Sequence, residues 1–113
     1  MPFFNASDMT KIEPVEGWVG HALHGERMTL THYEIAAGAP DVHEHHHPHE
    51  EAWSILDGEL AVWVDGEERT LGPGEVAVIP PNVRHRVRAL TRSRALVVDS
   101  PPRHPLPGTS HPR

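Results

Sequence analysis

Histidine is the residue whose placement first suggests chemistry. The chain carries 11 histidines, and five of them fall between His43 and His49. Neutral imidazole is a common ligand for transition metals. In an extended strand, residues two apart point to the same face. His45 and His47 can therefore meet at one point while His46 faces away. Glu51 lies an even number of residues further on and heads the run Glu51–Leu56. If it faces inward, so do Trp53 and Ile55. A carboxylate among apolar neighbours is costly unless it is paired or metal-bound. A fourth donor must come from a distant strand, and the only histidine between residues 50 and 103 is His85. It follows the turn Pro80-Pro81-Asn82 and shares a face with Val87 and Ala89. The predicted metal ligands are thus His45, His47, Glu51 and His85. His43, His46 and His49 are placed at the surface or rim, and His21, His24, His32, His104 and His111 have no spacing argument behind them.

Three nitrogens and one oxygen suit one divalent ion of Fe, Mn, Ni, Zn or Cu, with one or two positions left open on a six-coordinate metal. Open positions mark a site that can do chemistry, since a structural site is normally closed. Such an ion could polarise a carbonyl or enediolate oxygen, activate dioxygen, or anchor a ligand carboxylate. An enzyme would also need a proton donor or acceptor within reach. Tyr33, His49 and Asp99 are the candidates for that role. Met28, Trp53, Trp63 and Arg103 are candidates for the substrate pocket, with Trp53 favoured because it is in phase with Glu51. Trp18 and Tyr33 are further wall candidates. Arg84, Arg86 and Arg88 are candidate anion clamps, the alternative being a solvated strand face.

The elements that must position these groups read as short strands between turn signals. Arg27 to Ala36 is rich in β-branched and aromatic residues and stops at Gly38-Ala39-Pro40. Glu51 to Leu56 ends at Asp57-Gly58, and Leu60 to Val64 leads into Asp65-Gly66, a strong two-residue hairpin signal. Arg69 to Leu71, Val76 to Ile79, Arg86 to Ala89 and Ala95 to Asp99 follow. An earlier strand is expected around Gly17 to His24, and the first dozen residues are expected to add an edge strand, to this sheet or to a neighbouring subunit. No gap holds a crossover helix, so the chain reads as all-β, a sandwich or barrel.

Composition narrows the function. The 113 residues fit one domain. It divides into an N-terminal arm and first strands over 1–26, a barrel core over 27–99, and a Pro-rich tail over 100–113. Five of the 12 prolines lie in the last 13 residues, so that tail is expected to be extended and partly disordered. With no cysteine, disulfides, thiolate metal sites and thiol nucleophiles are excluded. A formal charge of −6 disfavours non-specific nucleic-acid binding. There is no secretory leader pattern and no apolar run of membrane-spanning length, so the expectation is a soluble cytoplasmic protein without membrane or nucleic-acid partners.

The same residues resemble the two motifs of the cupin superfamily. Gly38, His45, His47, Glu51 and Gly58 match G-x5-H-x-H-x3-E-x6-G with one extra residue after the first glycine. Gly74, Pro80, Asn82, His85 and Ala89 match G-x5-P-x-G-x2-H-x3-N, with Asn82 in place of glycine and Ala89 in place of asparagine. The resemblance implies a small single-domain cupin: a jelly-roll β-barrel (double-stranded β-helix), often a homodimer, holding one metal ion by three histidines and a glutamate. Within the cupins the chain is similar to the short uronate-linearising proteins of pectin and alginate breakdown. The shared order is HPHEE, LDGEL, LGPGEVAVIPPNVRH, then a Pro-x-Arg element at Pro101-Pro102-Arg103. Members of that group often carry glutamine where this chain has Glu51, and an Asp-x-Phe pair where it has Val97 and Asp99. Polyketide-cyclase-like cupins share the HEHxHPHEE-type segment. The implied function is a metal-dependent isomerase, cyclase or dioxygenase acting on a small oxygenated substrate, sugar-acid or polyketide-like. The alternative is a non-catalytic binding module or sensor for a metal or small ligand.

Overall fold

The computed structural model describes residues 2–41 and 47–108. A short 3-10 turn, Ala6–Asp8, precedes the strands β1 (Thr10–Ile12), β2 (Trp18–His24), β3 (Thr29–Ile35), β4 (Glu50–Asp57), β5 (Leu60–Val64), β6 (Glu67–Leu71), β7 (Val76–Ile79), β8 (His85–Ala89) and β9 (Ser93–Ser100). They form a six-stranded sheet, ordered β1-β2-β3-β9-β4-β7, and a three-stranded sheet, ordered β6-β5-β8. Every pairing is antiparallel. The strand and turn pattern predicts the all-β architecture, and the jelly roll is the one that the cupin resemblance implies.

Period-2 burial shows how the strands build a common interior. In β3, Thr29, Thr31, Tyr33 and Ile35 are buried, and in β9 Ser93, Ala95, Val97 and Asp99 are, with their neighbours half-buried or exposed. In β4 the buried set is Glu51, Trp53 and Ile55; in β8 it is His85, Val87 and Ala89. A one-residue slip would turn each set outward, so the apolar pattern itself specifies register. β9 lies between β3 and β4, joining the N-terminal and metal-motif halves of the chain.

The turns carry the residue types that their backbone requires. Asp65 and Gly66 both have positive φ, 47° and 88°, as a type I′ hairpin demands. Asn82 has φ 64°, so it fills the left-handed position of the absent glycine. The N-terminal edge strand β1 pairs with β2 of the same chain. The proline-rich tail, where described, lies against the barrel and is not a free extension. The Arg103 amide donates to Thr29 Oγ1 at 2.8 Å, the Glu13 amide donates to the Gly108 carbonyl at 3.4 Å, and Leu106 packs on the core. No helix among the described residues is long and apolar enough to cross a membrane.

Gly58 gives a sharp test of this packing. Its φ is +82°, and a Cβ there would lie 2.3 Å from the Arg92 carbonyl oxygen and 2.4 Å from Ser93 Oγ. Gly66 has a similar φ of +88° but open space around it. Gly66→Ala should cost only the left-handed strain, roughly 1–2 kcal/mol. Gly58→Ala should cost clearly more, because backbone must move as well. Urea unfolding midpoints of the two variants check the ordering, and equal losses would contradict the tight β4–β9 corner.

Candidate metal centre and cavity

Glu51 is the point on which three segments converge. It opens the interior face of β4 and is 5% exposed. Its Oε1 accepts a hydrogen bond from Trp53 Nε1 at 2.8 Å and lies 3.4 Å from His85 Nε2. Its Oε2 lies 3.6 Å from His47 Nε2 and 3.3 Å from Arg103 Nη1. One donor atom each from His47, Glu51 and His85 lies within 4.8 Å of the others, a spacing that could hold a metal ion. The geometry therefore brings together three of the four predicted ligands. His45 lies outside the described residues, as do His43 and His46.

Local structure aims the two imidazoles. His85 is the first residue of β8, and its Nδ1 lies 2.9 Å from the Val83 carbonyl oxygen. A carbonyl can only accept, so Nδ1 carries a proton and Nε2 is the nitrogen turned toward Glu51. His47 is placed differently from the expectation. β4 begins at Glu50, so His47 sits on the incoming loop and not on a strand where alternation could orient it. A tertiary contact holds it: the Asn82 amide donates to the His47 carbonyl at 2.7 Å. The turn between β7 and β8 thus anchors one ligand and launches the other. The rings of His47 and His85 lie 5.0 Å apart, nearly perpendicular at 81°.

A second carboxyl completes the polar end. Asp99 in β9 stands directly opposite Glu51 in the β4 pairing and is 4% exposed. Arg103 Nη1 also lies 3.5 Å from Asp99 Oδ1. The two carboxyls diverge electrostatically. Burial alone would raise Glu51, but hydrogen bonds with His47, His85, Asp99 and Trp53 hold it well below the usual carboxylate range. Burial, followed by the hydrogen bond and charge of Glu51, pushes Asp99 up to about 9. Burial tends to lower His85, yet its bonds to Glu51 and to the Val83 carbonyl raise it overall. Burial, then the Glu51 charge, raises the Tyr33 phenol, so it stays a neutral donor. His49 lies with its ring 5.2 Å from that of His47, and burial, Arg103 and His47 lower its pKa. All three proton-transfer candidates, Tyr33, His49 and Asp99, therefore lie in or beside the cluster.

Beyond this polar end lies a partly open cavity. Glu51, His85, Asp99 and Arg103 line it together with Trp18, Tyr33 and Trp53. Tyr33 and Trp53 lie parallel, with an interplanar angle of 5° and centroids 5.9 Å apart, and Trp18 packs edge-on against both. The pocket candidates divide accordingly. Trp53 and Arg103 line the cavity, whereas Met28 and Trp63 are not among its lining residues. Met28 is 39% exposed, in the turn before β3. Trp63 is out of phase with buried Val62 and lies under the Arg86 guanidinium, 5.3 Å from the ring centroid. Arg84, Arg86 and Arg88 are exposed. The alternation of β8, which buries His85, leaves Arg86 and Arg88 exposed, although Arg86 also borders the cavity, the one of these three anion-clamp candidates to do so. Sequence reading missed Pro14, Leu106 and Pro107 as cavity lining. Their contribution depends on the tail folding back, for which no local pattern exists.

The two-sheet jelly roll and the buried histidine–carboxylate cluster together define a cupin, and residues 31–101 match the cupin domain family Cupin_2. The chain belongs to that family. Among curated proteins it is 32% identical over 59 residues to the uncharacterized HTH-type transcriptional regulator YobQ of Bacillus subtilis, covering 52% of this chain and 24% of the regulator. It is 36% identical over 47 residues to quercetin 2,3-dioxygenase of the same organism, covering 42% of this chain and 14% of the enzyme. The aligned stretch is thus a quarter or less of either relative. Among solved structures, KdgF from Halomonas sp. superposes with a TM-score of 0.81 at 24% identity, covering 90% of this chain and 96% of that one. That likeness is one of fold.

The raised Asp99 carboxyl makes a pH prediction for the metal-free protein. The folded state holds this proton up to about pH 9, whereas an unfolded aspartate releases it near 3.9. Between those values the folded state binds more protons, so stability must fall as pH rises. From pH 5 to 8, metal-free wild type should lose about 1 kcal/mol or more relative to Asp99→Asn, which has nothing to ionise. Urea unfolding at the two pH values measures this, and parallel pH profiles would show that Asp99 folds already ionised.

Proposed function

We propose that this cupin is a metal-dependent enzyme of the isomerase, cyclase or dioxygenase kind, acting on a small oxygenated substrate bound in the cavity beside Glu51. His45, His47, Glu51 and His85 are the proposed ligands of one divalent ion. The observation that carries the reading is the convergence of His47, Glu51 and His85 from a loop and two strands of different sheets, next to a cavity walled mainly by aromatic and aliphatic side chains. The donor set fits the ion. The Val83 carbonyl takes up His85 Nδ1, so Nε2 is the nitrogen that would coordinate, giving up any proton to do so, and the carboxyl of Glu51 is held ionised in a buried place where a cation would compensate it.

A bound ion would supply Lewis acidity toward a carbonyl or enediolate oxygen, or a binding position for dioxygen. The chain's own residues do the rest. Arg103 neutralises the paired carboxyls and presents a guanidinium to an anionic substrate group. Protonated Asp99 can give up a proton at the cavity end where the ligands lie, and neutral Tyr33 can donate a hydrogen bond there. Trp53 fixes Oε1 of Glu51 and covers one wall. The similarity to part of a transcriptional regulator favours a second reading, a ligand-binding sensor. The proton donor beside the ligand cluster, Asp99, favours the enzyme.

His47→Ala and Glu51→Ala should each weaken divalent-metal affinity by at least about tenfold, given that loss of a mere supporting contact costs 10–100-fold. Elemental analysis after dialysis checks this, and full stoichiometry in both variants would refute the ligand assignment. Affinity should also fall as pH drops through the imidazole range near 6.5, because a coordinating histidine must be neutral. Catalysis is tested by incubating metal-loaded protein with enolisable keto acids in D₂O, following carbon-bound deuterium by NMR and dissolved oxygen by electrode. Turnover that falls in Tyr33→Phe or Asp99→Asn supports the enzyme. Binding without either signal supports the sensor.

A further inference from the structure

The cavity walls and the cavity end differ in chemistry, and that difference bears on what can bind. Trp18, Tyr33, Trp53, Val87, Val97 and Leu106 give most of the lining, and Pro14 and Pro107 close it from the arm and the tail. The indole donors are already used. Trp53 Nε1 donates to Glu51 Oε1, and Trp18 Nε1 donates to the Pro40 carbonyl at 3.1 Å. Both tryptophans therefore present ring surface to a ligand. Apart from the cluster of Glu51, His85, Asp99 and Arg103, the described lining includes three polar residues, Thr31, Tyr33 and Arg86, and the Arg86 guanidinium is stacked over Trp63, which is not a lining residue. Tyr33 stacks on Trp53, whose indole N–H is bound to Glu51, so its ring adjoins the residue that borders the cluster.

A polyhydroxylated ring would bring hydroxyls on several sides into this space. Each one that met only Val87, Val97, Leu106 or a tryptophan face would lose its water without replacement, at roughly tenfold or more in affinity. A ligand with its oxygens gathered at one end meets no such penalty. We infer that the natural substrate has a compact apolar or aromatic body and a single anionic, oxygen-bearing head, the body lying among Trp18, Trp53, Val97 and Leu106 and the head at Arg103 and the ligand cluster. This rests on the proposed reading of the cavity as the substrate site, and it narrows the substrate class away from sugar acids.

Two probes isolate the point. Cyclohexanecarboxylate and D-galacturonate share a six-membered ring bearing one carboxylate and differ mainly in ring hydroxyls; benzoate adds a flat body. Calorimetric titration of the metal-loaded full chain should show cyclohexanecarboxylate and benzoate binding at least about tenfold tighter than galacturonate. Val97→Thr, a near-isosteric change, should narrow that ratio by introducing a hydroxyl to the wall. Leu106→Asn, at a less buried position, is the second variant if Val97→Thr does not fold. Equal or tighter binding of galacturonate overturns the inference, and so does binding of no probe at millimolar concentration. Metal content measured on the same samples, and repeat titrations after chelation, separate the two claims. An absent metal with the preference intact sinks the metalloenzyme reading alone. A full metal complement with galacturonate preferred sinks the substrate class alone.

Discussion

A carboxylate sits where a β-barrel interior would ordinarily hold a methyl group. Glu51 occupies an inward position of β4, between strands whose other inward residues are largely apolar, and an isolated charge there would be prohibitively costly. What makes it tolerable is a set of donors drawn from across the fold: Trp53 from its own strand, His85 from the opposite sheet, His47 from the preceding loop and Arg103 from beyond β9. Three of these are in turn held by something else. His85 is oriented by the Val83 carbonyl, His47 by the Asn82 amide, and the Arg103 amide by Thr29. The requirement to satisfy one buried charge therefore reaches into both sheets, the β7–β8 turn and the tail.

The same requirement explains why the two carboxyls behave unlike each other. Glu51 has the donors and stays ionised; Asp99, facing it across the β4–β9 pair, has Arg103 and the Glu51 carboxylate beside it and is driven toward its neutral form. Two like charges at this separation in a buried site cannot both persist. The outcome is a polar end with one fixed negative charge, one guanidinium and two neutral hydrogen-bond donors, facing an aromatic and aliphatic cavity. That polarity along a single cavity is what makes the cluster a place for chemistry on a bound molecule and not simply a buried ion pair.

Much of this was legible in the chain itself. Strict alternation placed Glu51, Trp53 and Ile55 on one face, and His85, Val87 and Ala89 on another, and both sets are buried. Asp65-Gly66 and Asn82 announced their turns because few residue types accept positive φ. His47 was identified for the wrong local reason. It was read as a strand residue in phase with its neighbours, but it lies on a loop whose direction is set by a hydrogen bond from a residue 35 positions away. Met28 and Trp63 looked like wall residues because they are large and apolar, yet composition does not say which side of a sheet a half-buried residue faces. The tail looked free because proline breaks ladders, and it was not apparent that Leu106 and Pro107 return to the barrel.

Periodicity and turn chemistry are local properties, carried by residues within a few positions of one another, so the amino-acid order alone determined the strands, their inward faces and three of the groups that cluster. Which strand lies beside which is decided by contacts between distant segments. Only the folded chain could place Asp99 across from Glu51, bring Arg103 back to both, tie up the indole N–H groups of Trp18 and Trp53, and so give that cavity one polar end. Those relations depend on register between strands far apart in sequence, and no short-range pattern encodes them.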